Sequence, residues 1–142
     1  MRRPLRSLVL VLGLALASAS ASAIEVWHSS TVWANGGMCS AAFTFDAGDG
    51  PFKRLQVLMQ AVDKRGKVRA QDTLAIAALG EDNASRYATV FFEGEALCDP
   101  DLSIRILKAT AVVDGRTVDL IKTRGLTVRD FKPYAIQIRG SR

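Results

Sequence analysis

His28 is the only histidine in a chain of 142 residues, so a hydrolytic triad would have to use it as its base. Such a triad needs nucleophile, base and orienting acid within hydrogen-bond reach of one another. Ser29 and Ser30 follow directly, but neighbours on a strand point to opposite faces, and local sequence cannot build that geometry. The expected place for His28 is an edge strand or the surface. Two carboxylate pairs could do acid–base work or hold a cation. Glu93 and Glu95 share a strand face if the strand survives Gly94, and Asp99 and Asp101 bracket Pro100. Their expected roles are a solvated face and a turn, since calcium needs more oxygen ligands than these. Gly36-Gly37 and Gly48-Asp49-Gly50 lack the continuation of a phosphate-cradling loop. No catalytic residue, cofactor or metal ligand set is therefore assigned.

Cys39 and Cys98 are the only cysteines. Neither a Cys-x-x-Cys pair nor a Cys/His cluster exists, which disfavours redox and metal chemistry. An even count downstream of an export signal predicts a structural disulfide. The loop it closes, about 60 residues, would contribute on the order of 4 kcal/mol by restricting the unfolded chain. After the cysteines, Trp27 and Trp33 carry most weight. On one unbroken strand they share parity and point to one face. Side chains of this size usually belong to a core, and an exposed one would be a candidate binding anchor.

These residues are positioned by a chain whose start has to be set aside. Arg2, Arg3 and Arg6 precede an apolar run from Leu8 to Ala17, and small residues follow, ending in Ala21-Ser22-Ala23. That pattern predicts a secretory signal peptide over residues 1–23, cut after Ala23, and export to the periplasm or beyond. The apolar core is shorter than the roughly 20 residues of a membrane span, and no later segment is long enough. Cleavage removes three arginines and no acid, which lowers the formal net charge from +5 to +2. Nucleic-acid binding would show a concentrated basic stripe. The nearest candidate, Lys64-Arg65-Gly66-Lys67-Val68-Arg69, reads as a solvated hairpin tip.

With 49% hydrophobic and 23% charged residues, the chain is too apolar to be disordered, and residues 24–142 suit a single domain. Their pattern is period 2. Cys39, Ala41, Phe43 and Phe45 alternate with Ser40, Ala42, Thr44 and Asp46. Leu55, Val57, Met59 and Ala61 repeat the pattern, as do Tyr87 to Phe92, Leu102 to Val113 and Tyr134 to Arg139. Val68 to Leu79 returns as a partner strand, although Leu74 to Leu79 could also form a short helix. Asp114-Gly115 is a two-residue hairpin signal, with Thr117 to Ile121 pairing back, and Pro133 fits the start of the last strand. About seven strands, with turn signals every ~8–12 residues, predict an all-β antiparallel sandwich of immunoglobulin or fibronectin type III style. A small closed barrel is the second choice.

The segment Val32-Trp33-Ala34-Asn35-Gly36-Gly37-Met38-Cys39-Ser40-Ala41 also carries a resemblance. Together with Cys98 and Arg129-Asp130-Phe131-Lys132-Pro133-Tyr134, it resembles the small secreted bacterial proteins of the interleukin receptor mimic protein A family. That resemblance implies a fibronectin type III-like sandwich and cytokine binding, with no contact residue transferable to this chain. The expected function is an exported, non-catalytic binding module with a protein partner, and a homodimer through edge strands is a further expectation. The alternatives are a periplasmic assembly chaperone, an envelope-enzyme inhibitor, and a small envelope hydrolase using carboxylates.

Overall fold

The structure, a computed structural model, describes residues 23–129 and 134–140. The expected signal peptide, except Ala23, and the position of Pro133 lie outside the described residues. Period-2 patterning gives nine strands: β1 (Ile24–Trp33), β2 (Cys39–Asp46), β3 (Phe52–Val62), β4 (Val68–Leu79), β5 (Tyr87–Gly94), β6 (Ser103–Val113), β7 (Arg116–Asp119), β8 (Leu126–Val128) and β9 (Ala135–Ile138). Short 3₁₀ turns at Asn35–Gly37 and Glu95–Cys98 are the only helical elements among the described residues. The count exceeds the expected seven because the C-terminal stretch is cut into three short strands. The stretch Leu74 to Leu79, which could have been helical, belongs to one twelve-residue strand. Pairing with β3 along its whole length decides the matter over alanine's helix preference.

Two sheets face each other. One runs β5-β2-β1-β8, and the other runs β4-β3-β6-β7, with β9 also on β6. Most pairings are antiparallel, but β8 lies parallel to β1 and β9 parallel to β6. The last two strands therefore join opposite layers. The Asp114-Gly115 hairpin forms as the sequence predicts, both residues taking positive φ (50° and 74°), as a tight two-residue turn requires.

The inward residues form one core. Ile24, Val26, Phe43, Phe45 and Phe92 from the first sheet meet Leu55, Val57, Met59, Ile104 and Ile106 from the second. Each of these large side chains contributes about 1.5–3 kcal/mol through burial. Cys39 and Cys98 are bonded, with Cα atoms 5.1 Å apart. The bridge ties the first residue of β2 to the end of the second 3₁₀ turn.

Candidate functional site

The outward face of the β5-β2-β1 layer is where the molecule departs most from an ordinary surface. Register places Phe91 opposite Ala42 and Ser30, Thr89 opposite Thr44 and Trp27, and Glu93 opposite Ser40 and Val32. The central strand supplies small residues, so larger neighbours on both flanks rise above it. Phe91 and Tyr87 are each 54% exposed and Val32 is 56% exposed. Between them runs a hydroxyl chain. Ser29 donates to the Ala42 carbonyl at 3.1 Å, meets Thr44 at 3.0 Å, and Thr44 meets Thr89 at 2.9 Å. The result is a nearly flat face of apolar side chains around a fixed polar centre. Large apolar groups around satisfied polar atoms are what protein interfaces use.

One end of this face is pinned by charge pairs. Arg86 donates to both oxygens of Asp46, at 2.7 and 3.0 Å, while Asp46 accepts from the Gly48 N–H at 2.8 Å. The Arg86 hydrogen bond is the main reason the Asp46 carboxyl is held below its ordinary range, against the opposing effect of burial. A general acid needs the reverse shift, so this buried acid is a structural anchor. Asp46→Asn is expected to cost about 1.5 kcal/mol, toward the low end for a charge-assisted bond because Arg86 is well exposed. Its sign with pH follows. The stabilisation is present above about pH 4 and lost as pH falls through the depressed folded value. Urea unfolding of both proteins at pH 7 and pH 3 checks this, and an unchanged gap between the two at pH 3 would contradict it. At the same end Arg129 pairs with Glu25 and lies over the Trp27 ring, 5.2 Å from its centre.

Trp27 and Trp33 do not share a face. The register shifts between His28 and Ser30, so Trp27 sits opposite Thr44 on the outward side, whereas Trp33 sits opposite Cys39 on the core-side parity. One inserted residue in a strand reverses the parity of everything after it. Trp27 is half-buried under Arg129. Trp33 runs past the end of the core, 76% exposed beside the disulfide end of the sandwich, with exposed Met38 nearby in sequence.

His28 is also not where it was expected, because it continues the inward alternation of Ile24 and Val26 before the bulge begins. Its side chain is 1% exposed and points into the core opposite Phe43. The imidazole lies 4.6 Å from the Tyr134 ring and 5.6 Å from that of Phe43, and its Nε2 hydrogen-bonds the Thr31 hydroxyl at 2.7 Å. Nδ1 is buried with no hydrogen-bond partner. Burial lowers the pKa, only partly offset by the Ser30 backbone. Tyr134 donates its hydroxyl to the Leu97 carbonyl, and burial raises its pKa. Among the described residues, the side-chain partner of the His28 ring is the Thr31 hydroxyl, and no serine or acid is hydrogen-bonded to it.

The carboxylate pairs stay apart from chemistry. β5 ends at Gly94, so Glu93 and Glu95 do not continue one strand face, and both are exposed. Asp99 accepts from the Asp101 N–H at 2.9 Å inside a turn. Among the described residues, no group of three or more acidic, histidine or cysteine side chains could hold a metal ion. Tyr87 and Phe91 are the residues sequence reasoning passed over. The signal was present, because β5 has large apolar residues on both faces, Tyr87 and Phe91 on one and Val90 and Phe92 on the other. A two-layer sandwich can bury only one of them.

Fold and surface together define a disulfide-bridged all-β sandwich with an exposed apolar sheet face. The model of the family described as interleukin receptor mimic protein A matches residues 24–128, and the chain belongs to that family. Among solved structures it is similar to IrmA from Escherichia coli, with 29% identity and a TM-score of 0.64 over 79% of this chain and 95% of that one. No curated protein matches significantly. Family and disulfide together point to an extracytoplasmic protein. No helix among the described residues is long and apolar enough to cross a membrane.

Proposed function

We propose that this chain is an exported binding module without catalytic activity, cleaved after Ala23, which engages a protein partner through the outward face of the β5-β2-β1 layer. The observation that carries this is the exposure of Phe91, Tyr87 and Val32 around the Ser29–Thr44–Thr89 hydroxyl chain. The partner class suggested by the family description is an interleukin. The strand order, β5-β2-β1 over β4-β3-β6-β7, supports a fibronectin type III-like assignment, the architecture of many cell-surface domains. Trp27 and Trp33 remain anchors in this proposal, Trp27 at the rim beside Arg129 and Trp33 at the disulfide end.

Surface plasmon resonance against a panel of interleukins tests it. At least one should bind with micromolar or tighter affinity. Phe91→Ala should weaken that binding at least about tenfold, the loss expected for an exposed aromatic anchor. Lys64→Ala, at a distant hairpin tip, should leave it unchanged. Absence of any binding at this level refutes the receptor-mimic role. Binding indifferent to Phe91, Val32 and Tyr87 moves the interface off this face. Edge-to-edge dimerisation is the weaker use of the fold. The free edge strand β4 carries Asp72 at core-side parity, opposite Met59, and an inward charge discourages a further strand.

A further inference from the structure

The outward face of the second sheet carries a different chemistry. The β3–β6 ladder slips between Leu58 and Met59, which leaves Leu107 without a partner on β3. On the other side of β6, Arg105 sits opposite Gln137, and the Arg139 N–H donates to the Ile106 carbonyl at 2.9 Å. Gln60 faces Arg105 from β3 and is held by donating its amide to Gln71 at 2.7 Å. The slip and the parallel pairing together gather Arg105, Arg139, Gln60 and Gln137 around Leu107 in an open cleft of about 460 Å³.

No acid lines the cleft, and neither arginine forms an ion pair with another described residue. Two arginines lining one space, with no acid among the described lining residues, suit a carboxylate. The glutamine amides offer both donors and acceptors, which fits hydroxyl groups. Leu107 supplies an aliphatic wall. The volume is far larger than a lone ion needs and lies in the range of small-molecule sites, roughly 300–1,000 Å³. We infer that this cleft binds an acidic sugar, with its carboxylate on Arg105 and Arg139, its hydroxyls on Gln60 and Gln137, and its ring against Leu107. The site lies on the opposite sheet from the proposed protein-binding face and does not depend on it.

The test is an NMR titration of the folded, oxidised protein with N-acetylneuraminic acid, glucuronic acid, glucose, acetate and inorganic phosphate. At least one acidic sugar should give saturable shifts at the Gln60 and Gln137 side-chain amides and at the Arg105 and Arg139 Nε groups. Glucose, acetate and phosphate should bind at least about tenfold more weakly, because none combines a carboxylate with ring hydroxyls. Arg105→Gln and Arg139→Gln should each weaken the sugar at least about tenfold, with an unchanged melting temperature. Acetate or phosphate matching the sugars would reduce the cleft to a charge patch and overturn the proposal. So would an absence of saturation, or sugar binding that survives in the double variant.

Discussion

Reducing the Cys39–Cys98 bridge is expected to lower the unfolding free energy by about 4 kcal/mol. The bridge spans 59 positions, and closing so long a loop restricts the unfolded chain strongly. A domain of this size typically has ~5–15 kcal/mol in hand, so the loss is a large fraction of the whole. Geometry adds no reason to discount it, because the Cα separation of 5.1 Å falls in the ordinary range. Cys98 is exposed, so a reductant can reach the bond without prior unfolding. The measurement is urea unfolding with and without reductant, alongside the Cys39→Ala/Cys98→Ala double variant. A shift below about 1 kcal/mol in both would show that the bridge does not govern stability.

The second large effect comes from His28. Being the only histidine, it alone has an ordinary pKa near 6.5 among the side chains, so it dominates the pH dependence of stability just below neutrality. Burial depresses its pKa in the folded state. Below about pH 6.5 the unfolded chain therefore binds a proton that the folded one refuses. Its contribution is present above that pH and falls as pH drops toward the depressed folded value, at up to about 1.4 kcal/mol per pH unit. His28→Leu removes both this slope and the unpartnered Nδ1. The natural protein should lose stability between pH 7.5 and 5.0, and the variant should hold level over the same interval. Urea midpoints at the two values decide it, and parallel behaviour of the two proteins would rule out His28 as the source. Packed against Tyr134 and Phe43, the imidazole is cut off from water, and that loss of solvation is why the folded state resists the new charge.

The alternation of Cys39 to Asp46 was legible as a strand because each inward residue is apolar, but it is not half-buried as expected: Ser40, Ala42 and Asp46 on its outward face are buried too, between taller neighbours. The Asp114-Gly115 turn and the disulfide were legible for similarly local reasons, one in backbone conformation and the other in compartment and count. The position of Trp33 was not legible, because a bulge is decided by how β1 meets β2, and nothing in Trp27 to Trp33 itself announces it, whereas His28 continues the inward alternation of Ile24 and Val26, which the sequence did carry. Strand β8 escaped notice because Leu126 to Val128 is too short for periodicity to register. The outward face was half legible, since the double-sided apolarity of Tyr87 to Phe92 is in the sequence. That Phe91 and Val32 flank the same small residues required the register. The arginine cleft was wholly hidden, since it brings Gln60, Arg105 and Arg139 together from three strands.

The parallel pairing of β1 with β8 sets the timing of folding. Ile24 is seated against Leu126, and its N–H donates to the Gly125 carbonyl at 2.7 Å, so β1 gains this partner only from a strand far downstream in the chain. The β9 pairing on β6 likewise waits for the C-terminal stretch. Contacts this distant in sequence slow folding, because the loop must close before the pairing rewards it. A nascent chain can form the local β3–β4 hairpin early, while β1 keeps an open edge until residue 126 arrives. The interval before residue 126 is available is therefore when the young chain is most exposed to strand exchange with its neighbours and to proteolysis.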